Sequence, residues 1–465
     1  FFGALGQTEH LTQLYLQSTA DRRDVASLAV VCEFDRVIVV PGQSRSTHWI
    51  ALWEEPSEET MRRRHVELIA NIMAVPSPKP PPSYFCSWYF YGTDFTQADL
   101  DENLAELRKR PIPFDIFLID NGWMNNFGEY DANERFPDGM AHAAKVIRDA
   151  GYQPGIWPCP FVIMRNSPAL RKYPNLIARD VDAQPVLFPY EQDKEFVVDP
   201  TSPAAEAYFA ELFGKLRGWG FTAHKFDFLR AITSNPRIRF HDCSTNRAQA
   251  YRRGMTMIRR LVGDNAYILA CGGLFEASAG LVDGMRVGSD TKGRWADLNA
   301  TNAYHRMGYM VRIKQNVFRN HTNRLWHTDP DALQLRCRHE PFRDRPEFFH
   351  LCQGSFTDDE AMTIVAHQYL GGGIVCLCER MEELPDDRYA LLRKALPTVT
   401  PPARIVDFGH AECPTMFWTK VAPAWSAEPW ATITVCNWSQ HPVEREVALG
   451  ALACVAGRSG LAVME

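Results

Sequence analysis

The sequence predicts an α/β fold: a closed (β/α)8 TIM barrel with β-rich segments at both ends. Three observations predict it. Short apolar runs alternate with longer amphipathic stretches through the middle of the chain, as strands and helices do around a parallel sheet. Eight such runs can be counted, which suits a closed barrel better than an open sheet. The length, 465 residues, exceeds one typical domain and fits a barrel of roughly 250 to 350 residues with smaller flanking pieces.

The elements follow in order. Residues 1 to about 55 read as β, with apolar runs Leu28–Val31, Arg36–Val40 and Trp49–Leu52 separated by turn residues such as Pro41-Gly42. Ser57 to Met73 reads as a helix, acidic early and apolar later. The run Pro76-Ser77-Pro78-Lys79-Pro80-Pro81-Pro82 is a stiff linker and divides a first segment, 1-75, from a barrel at 80-398. Strands are expected at Tyr84–Tyr89, Phe114–Ile119, Gln153–Trp157, Ala223–Phe226, Tyr267–Ala270, Gly284–Val287, Asn316–Arg319 and Gly373–Leu377. Helices are expected at Ala98–Lys109, Met140–Ala150, Pro203–Trp219, Arg247–Leu261 and Tyr389–Leu396. Segment 399-465 returns to β, with sandwich-like strands at Met416–Lys420 and Ala431–Asn437, and reads as a C-terminal β-sandwich cut short by the chain end.

Composition narrows the partners. A net charge of -6 gives no electrostatic case for nucleic acid or an anionic membrane, and no run of about 18 apolar residues is present to span a bilayer. The 12 cysteines lack paired spacing, so buried free thiols in a reducing compartment are expected. Cys376 and Cys378 share one face of a strand, but no second ligand pair is near in sequence. His327-Thr328-Asp329-Pro330-Asp331 matches neither a zinc site nor a calcium loop. No metal and no cofactor are therefore expected. Gly371-Gly372-Gly373 precedes a strand instead of joining a strand to a helix, which argues against a phosphate cradle. Phe1-Phe2-Gly3-Ala4 has no signal-peptide character, so a cytoplasmic location is expected. Without an initiator Met the chain reads as starting inside a longer protein, which leaves room for a leader upstream.

A barrel of this kind works at the C-terminal ends of its strands. Asp227 stands there, two residues after Lys225, as suits a nucleophile kept ionised by a nearby cation. Asp290 ends Arg286-Val287-Gly288-Ser289-Asp290 just past the sixth strand. The rival reading of Asp227 alone is a structural ion pair or a helix N-cap, and of Asp290 alone a cap on the next helix. Together they supply what glycoside hydrolysis requires, a carboxylate that attacks and one that protonates the leaving oxygen. Asp120 leads into Asn121-Gly122-Trp123 at another strand end, where it can accept from sugar hydroxyls while Trp123 packs near a sugar face; plain loop architecture is the rival reading. Trp88 and Trp157 end the first and third strand candidates and serve equally well as core. Cys271-Gly272-Gly273 reads as close backbone approach at a site wall.

Taken in order, these residues resemble glycoside hydrolase family 36, the α-galactosidases and their clan relatives, from Phe1 to about Leu384. Phe1-Phe2-Gly3 and Val40-Pro41-Gly42 look like the end of that family's N-terminal β-sandwich. Cys86-Ser87-Trp88-Tyr89 resembles its first-strand motif, and Ile119-Asp120-Asn121-Gly122-Trp123 its Asp-Asp-Gly-Trp, whose carboxylates hold the 4- and 6-hydroxyls of galactose. Lys225-Phe226-Asp227 resembles the Lys-x-Asp of the nucleophile, Arg286 to Asp290 the Arg-x-x-x-Asp of the acid/base, and Asp329-Pro330-Asp331 a turn near the site. Asn121 departs from the second Asp of the pattern; an amide accepts from a hydroxyl but also donates. The resemblance implies a retaining, exo-acting α-galactosidase without a metal. Asp227 would be its nucleophile and Asp290 its acid/base, with Trp88, Asp120, Asn121, Trp123, Trp157, Lys225, Cys271, Gly272, Arg286 and Asp329 around an α-galactoside. It also implies homo-oligomers through flanking domains. Galactosyl transfer of the raffinose-synthase type, α-N-acetylgalactosaminidase action and a non-catalytic sugar-binding barrel are the alternatives.

Overall fold

The computed structural model describes residues 1–77, 79–188, 195–291, 293, 295, 308–338, 354–398, 401–409, 413–421, 430–439 and 441–447. By compactness the chain divides into two units, Phe1–Thr400 and Pro401–Glu465.

Eight parallel strands form the centre of the first unit: β1 (Ser83–Cys86), β2 (Ile116–Ile119), β3 (Gln153–Ile156), β4 (Ala223–Phe226), β5 (Tyr267–Ala270), β6 (Gly284–Arg286), β7 (His327–Asp329, continued at Ala332–Leu333) and β8 (Val375–Leu377). Each pairs in parallel with the next. The barrel closes through β7, which Pro330 interrupts. Its first part pairs with β6 and its second with β8, while β8 pairs with β1. A helix follows every strand: α1 (Gln97–Lys109), α2 (Met140–Asp149), α3 (Ala205–Trp219), α4 (Arg247–Val262), α5 (Phe275–Ser278), α6 (Tyr309–Arg319), α7 (Asp358–Gly371) and α8 (Asp386–Lys394). The predicted (β/α)8 barrel is the observed fold.

Period-two alternation sorts the strand side chains into two layers. Tyr84, Cys86, Ile116, Leu118, Ala223, Leu269, Ala332 and Cys376 fill the barrel. Phe85, Phe117, Ile119, Phe226, Ile268, Met285 and Val375 point outward and pack under the helices. The helices begin where the sequence offers caps. Thr96, Asn246 and Thr357 each accept a backbone N–H three residues on and are met by a reciprocal side chain, so two orphan donors are satisfied at once.

One strand is misplaced by the sequence reading. Asn316–Arg319 lies in α6, whose buried residues Tyr309, Arg312, Ile313, Asn316 and Val317 recur at helical spacing. The true seventh strand, His-Thr-Asp, has no apolar signature to find. Two smaller corrections follow. β1 stops at Cys86, so Trp88 opens a one-turn helix, Trp88–Tyr91; and Arg36–Val40 forms no strand.

The N-terminal segment belongs to the first compact unit. Leu11–Ser18 and Val25–Glu33 form a hairpin, and Phe2–Ala4 pairs with Ile50–Leu52. Arg247, at the start of α4, ties this segment down through Asp35 (2.8 Å) and Glu33 (3.0 Å). In the second unit Arg404–Ile405, Met416–Val421 and Trp430–Val435 form a three-stranded antiparallel sheet. The rest of the expected C-terminal sandwich lies largely outside the described residues. Among the described residues no helix is long and apolar enough to cross a membrane.

The triple glycine before β8 has a steric cause. Gly372 takes φ +63°, and a Cβ on Gly373 would lie 2.2 Å from the Thr328 carbonyl oxygen, which accepts the Ile374 N–H at 2.9 Å in the barrel closure. Gly373→Ala must push β8 off β7. Urea denaturation should show a loss of about 2–3 kcal/mol; an unchanged midpoint would mean that the closure does not depend on this approach.

Candidate active site

The mouth at the C-terminal ends of the strands carries charge on opposite walls. On one wall Lys225 Nζ donates to Asp120 Oδ2 at 2.7 Å, with both side chains buried. Burial raises the Asp120 carboxyl, the Lys225 ammonium counters this only in part, Cys86 adds to the rise, and the carboxyl stays pushed up to about 8. Burial also opposes the charge on Lys225, but Asp120, then Cys86 and Asp227, keep it protonated well above its usual range. The backbone holds Asp120 in place. Its N–H donates to Ser87 Oγ at 3.0 Å, and its Oδ1 accepts the Asn121 N–H at 2.8 Å. Gly122 turns the chain away at φ +122°, where a Cβ would lie 2.3 Å from the Thr93 carbonyl oxygen.

Asp227 is the first residue past β4. Its N–H donates to Pro158 O at 3.1 Å, which binds the ends of β3 and β4 together. Trp157 Nε1 donates to Asp227 Oδ2 at 3.2 Å, and the Phe228 N–H to Oδ1 at 2.7 Å. The carboxylate is thus oriented by two donors and stays half-buried.

On the other wall stands Arg286, the last residue of β6. Nη2 donates to Asp290 Oδ1 at 2.8 Å and also to Asp331 Oδ2. Burial is the largest influence and opposes the Arg286 charge, but Asp331, Tyr89, Cys271 and Asp290 together outweigh it and hold the guanidinium charged well above its usual range. Burial likewise works against Asp331, yet Arg286 and Arg312 hold it below the usual carboxylate range. Asp331 Oδ2 further accepts Tyr89 OH at 2.5 Å, the Thr291 N–H at 2.8 Å and Thr291 Oγ1 at 2.9 Å. The Asp290 side chain is 51% exposed while that of Arg286 is 4% exposed, so the arginine is fixed and presents the carboxylate to solvent. Arg286 Nε is buried without a hydrogen-bond partner among the described residues.

Cys271, past β5, stands between the walls. Its Sγ is 4.0 Å from Arg286 Nη1. Burial pushes the thiol up; Asp227 and Asp290 add to the rise, and Arg286 and Lys225 oppose it. One buried sulfur therefore feels both acids and both cations. Gly272 beside it takes φ +69°.

Of the remaining sequence-selected residues, Trp88 is half-buried against the barrel interior, and Asn121 is half-buried next to Asp120. Trp123 has no open face: it is 0% exposed, and its indole N–H donates to Trp157 O at 2.9 Å. Its place is behind Trp157. Asp329 is also fully buried, accepting from Tyr84 OH at 3.0 Å and from the Asp331 N–H at 2.8 Å, so it braces the β7 break. Tyr89 and Asp331 were not selected. Both lie inside motifs named above, but nothing in the sequence shows that Asp331 pairs with a residue 45 positions away.

Removing one partner of a buried ion pair strands the other. Asp331→Ala should cost about 3–5 kcal/mol in urea unfolding, and Asp331→Asn less. Equal stability of Asp331→Ala and the parent would show that Arg286 is neutralised elsewhere.

Comparison with known proteins agrees with this architecture. Residues 80–326, more than half of the chain, match the family described as the glycosyl hydrolases family 31 TIM-barrel domain. A 99-residue stretch is 26% identical to "Alpha-galactosidase 1" of Pediococcus pentosaceus, covering 20% of this chain and only 13% of that protein. The α-galactosidase of Thermus thermophilus in complex with stachyose superposes with a TM-score of 0.59 at 26% identity, over 72% of this chain and 69% of that one. The same enzyme in complex with p-nitrophenyl α-D-galactopyranoside gives a TM-score of 0.68 at 24% identity, over 90% and 75%. With its closed barrel and its charged mouth, the chain belongs to the glycosyl hydrolases family 31 TIM-barrel domain family.

Proposed function

We propose that this chain is a retaining, exo-acting α-galactosidase of the family 36 type, with Asp227 as nucleophile and Asp290 as general acid/base. The observation that carries the reading is the pair of oriented carboxylates on one barrel mouth. Trp157 and the Phe228 N–H aim Asp227, and Arg286 holds Asp290. The likeness to α-galactosidase structures supports the substrate class.

In the first step an Asp227 oxygen attacks the anomeric carbon. The bond to the leaving oxygen breaks as Asp290 gives that oxygen its proton. In the second step Asp290 takes a proton from water, the water oxygen attacks the same carbon, and the ester to Asp227 breaks. Two inversions retain the configuration, which calls for carboxyls about 5–5.5 Å apart. Lys225 and Asp120 would hold sugar hydroxyls at the closed end, with Asn121 beside them as both donor and acceptor. Arg286 Nη2 would keep Asp290 in place beside the sugar. Trp88 would wall the pocket, Trp157, 2% exposed, would act through its N–H on Asp227, and Cys271-Gly272 would let the ring approach the backbone.

Asp227→Asn should lower kcat/KM on a nitrophenyl α-galactoside by about 10^4-fold or more while leaving the fold intact; retained turnover in a folded variant ends the assignment. Asp290→Asn should separate substrates by leaving group. Nitrophenolate departs without a proton, so activity on an unactivated oligosaccharide should fall much further than activity on the nitrophenyl glycoside. Equal losses on both would remove Asp290 from the acid role.

A further inference from the structure

Three thiols meet in the barrel wall beside the proposed sugar site. Cys86 ends β1, and Cys376 and Cys378 lie on and just past β8. The β8–β1 register sets Leu377 opposite Phe85, so Cys378 comes alongside Cys86, and alternation turns all three side chains inward. The three sulfurs lie within 4.8 Å of one another, and Cys376 Sγ is 4.0 Å from Cys378 Sγ. All three residues are buried. The absence of a second ligand pair near Cys376 in sequence had argued against a metal here. The barrel closure supplies the missing ligand from residue 86.

We propose that Cys86, Cys376 and Cys378 form a binding site for one soft, thiophilic d10 cation of the zinc, cadmium or copper(I) class. Sulfurs about 2.3 Å from a tetrahedral ion stand roughly 3.8 Å from each other, close to the spacing already present. Three thiolates select soft ions over magnesium or calcium. Asp120 Oδ2 accepts from Cys86 Sγ at 3.3 Å, but the groups that meet within 4.8 Å of one another are the three cysteines alone, so the chain supplies three ligands and not four. Lys225, bonded to that carboxylate at 2.7 Å, offsets part of the negative charge that three thiolates create. The balance is simple. Each S–metal bond replaces an S–H bond, three protons leave to solvent, and no electron is transferred. The rival account is three small apolar side chains filling a gap. The site stands on this geometry whether or not the chain cleaves galactosides.

Cadmium is the probe. Titration of the full chain with Cd2+ should raise the ultraviolet thiolate-to-cadmium charge-transfer band to an endpoint of one ion per chain, reversed by EDTA. The band should be lost in the Cys86→Ser/Cys376→Ser/Cys378→Ser variant and kept in Cys243→Ser, which removes a thiol outside the cluster. Cys378→Ser alone, an exchange of one atom, covers the case in which the triple variant does not fold. It should weaken binding by roughly tenfold or more, a scale already reached when outer partners of metal sites are lost. No band in the parent chain, a band that persists in a folded triple variant, or unaltered affinity in Cys378→Ser overturns the proposal.

Discussion

The buried contact between Lys225 and Asp120 constrains the whole mouth. Neither charge is tolerable alone inside a barrel, where desolvation costs several kcal/mol per ion, so β2 and β4 must present these two side chains to each other. Satisfying Asp120 then recruits the end of β1: the Ser87 hydroxyl just past it takes the Asp120 N–H, and the Cys86 thiol reaches its carboxylate. Asp227 follows Lys225 by two residues, so fixing the lysine inward also fixes where the next carboxylate leaves the strand.

A second charge system mirrors the first. Arg286 on β6, Asp331 at the β7 break, Tyr89 after β1 and Thr291 close a ring of donors and acceptors. Asp331 adopts φ +76°, a conformation that few side chains favour, and Asp329 braces it from below. The barrel closes at the same interrupted strand. One local irregularity therefore lies at both the closure and the site: the part of β7 before the break pairs with β6 and the part after it with β8. The two charge systems meet at Cys271, where a buried thiol lies in the field of both.

Much of this was legible in the residues. Acids at the ends of apolar runs mark strand C-termini, and a lysine two residues before one of them shares its face; Asp120, Lys225, Asp227, Arg286 and Asp290 could be named on that logic. The rest depended on pairings that sequence separation hides. His327-Thr328-Asp329 carries no apolar pattern, its Asp329 being spent on the Tyr84 hydroxyl and the Asp331 N–H, and the nearest strand-like apolar run lies in helix α6. Asp331 mattered because of Arg286, and Cys376 because of Cys86; both links exist only once eight strands close into a ring. Trp123 looked like a sugar platform because it follows Asp120 so closely, but the Gly122 turn sends it into the layer behind Trp157.

The account stands or falls on whether Asp227 forms a covalent bond to the sugar. Incubation with a mechanism-based fluoro-galactoside, followed by proteolysis and mass spectrometry, measures this directly. One label per chain, on the peptide that contains Asp227, is the predicted result. A stable label on another side chain, or rapid hydrolysis of galactosides by a chain that never labels at Asp227, would contradict it.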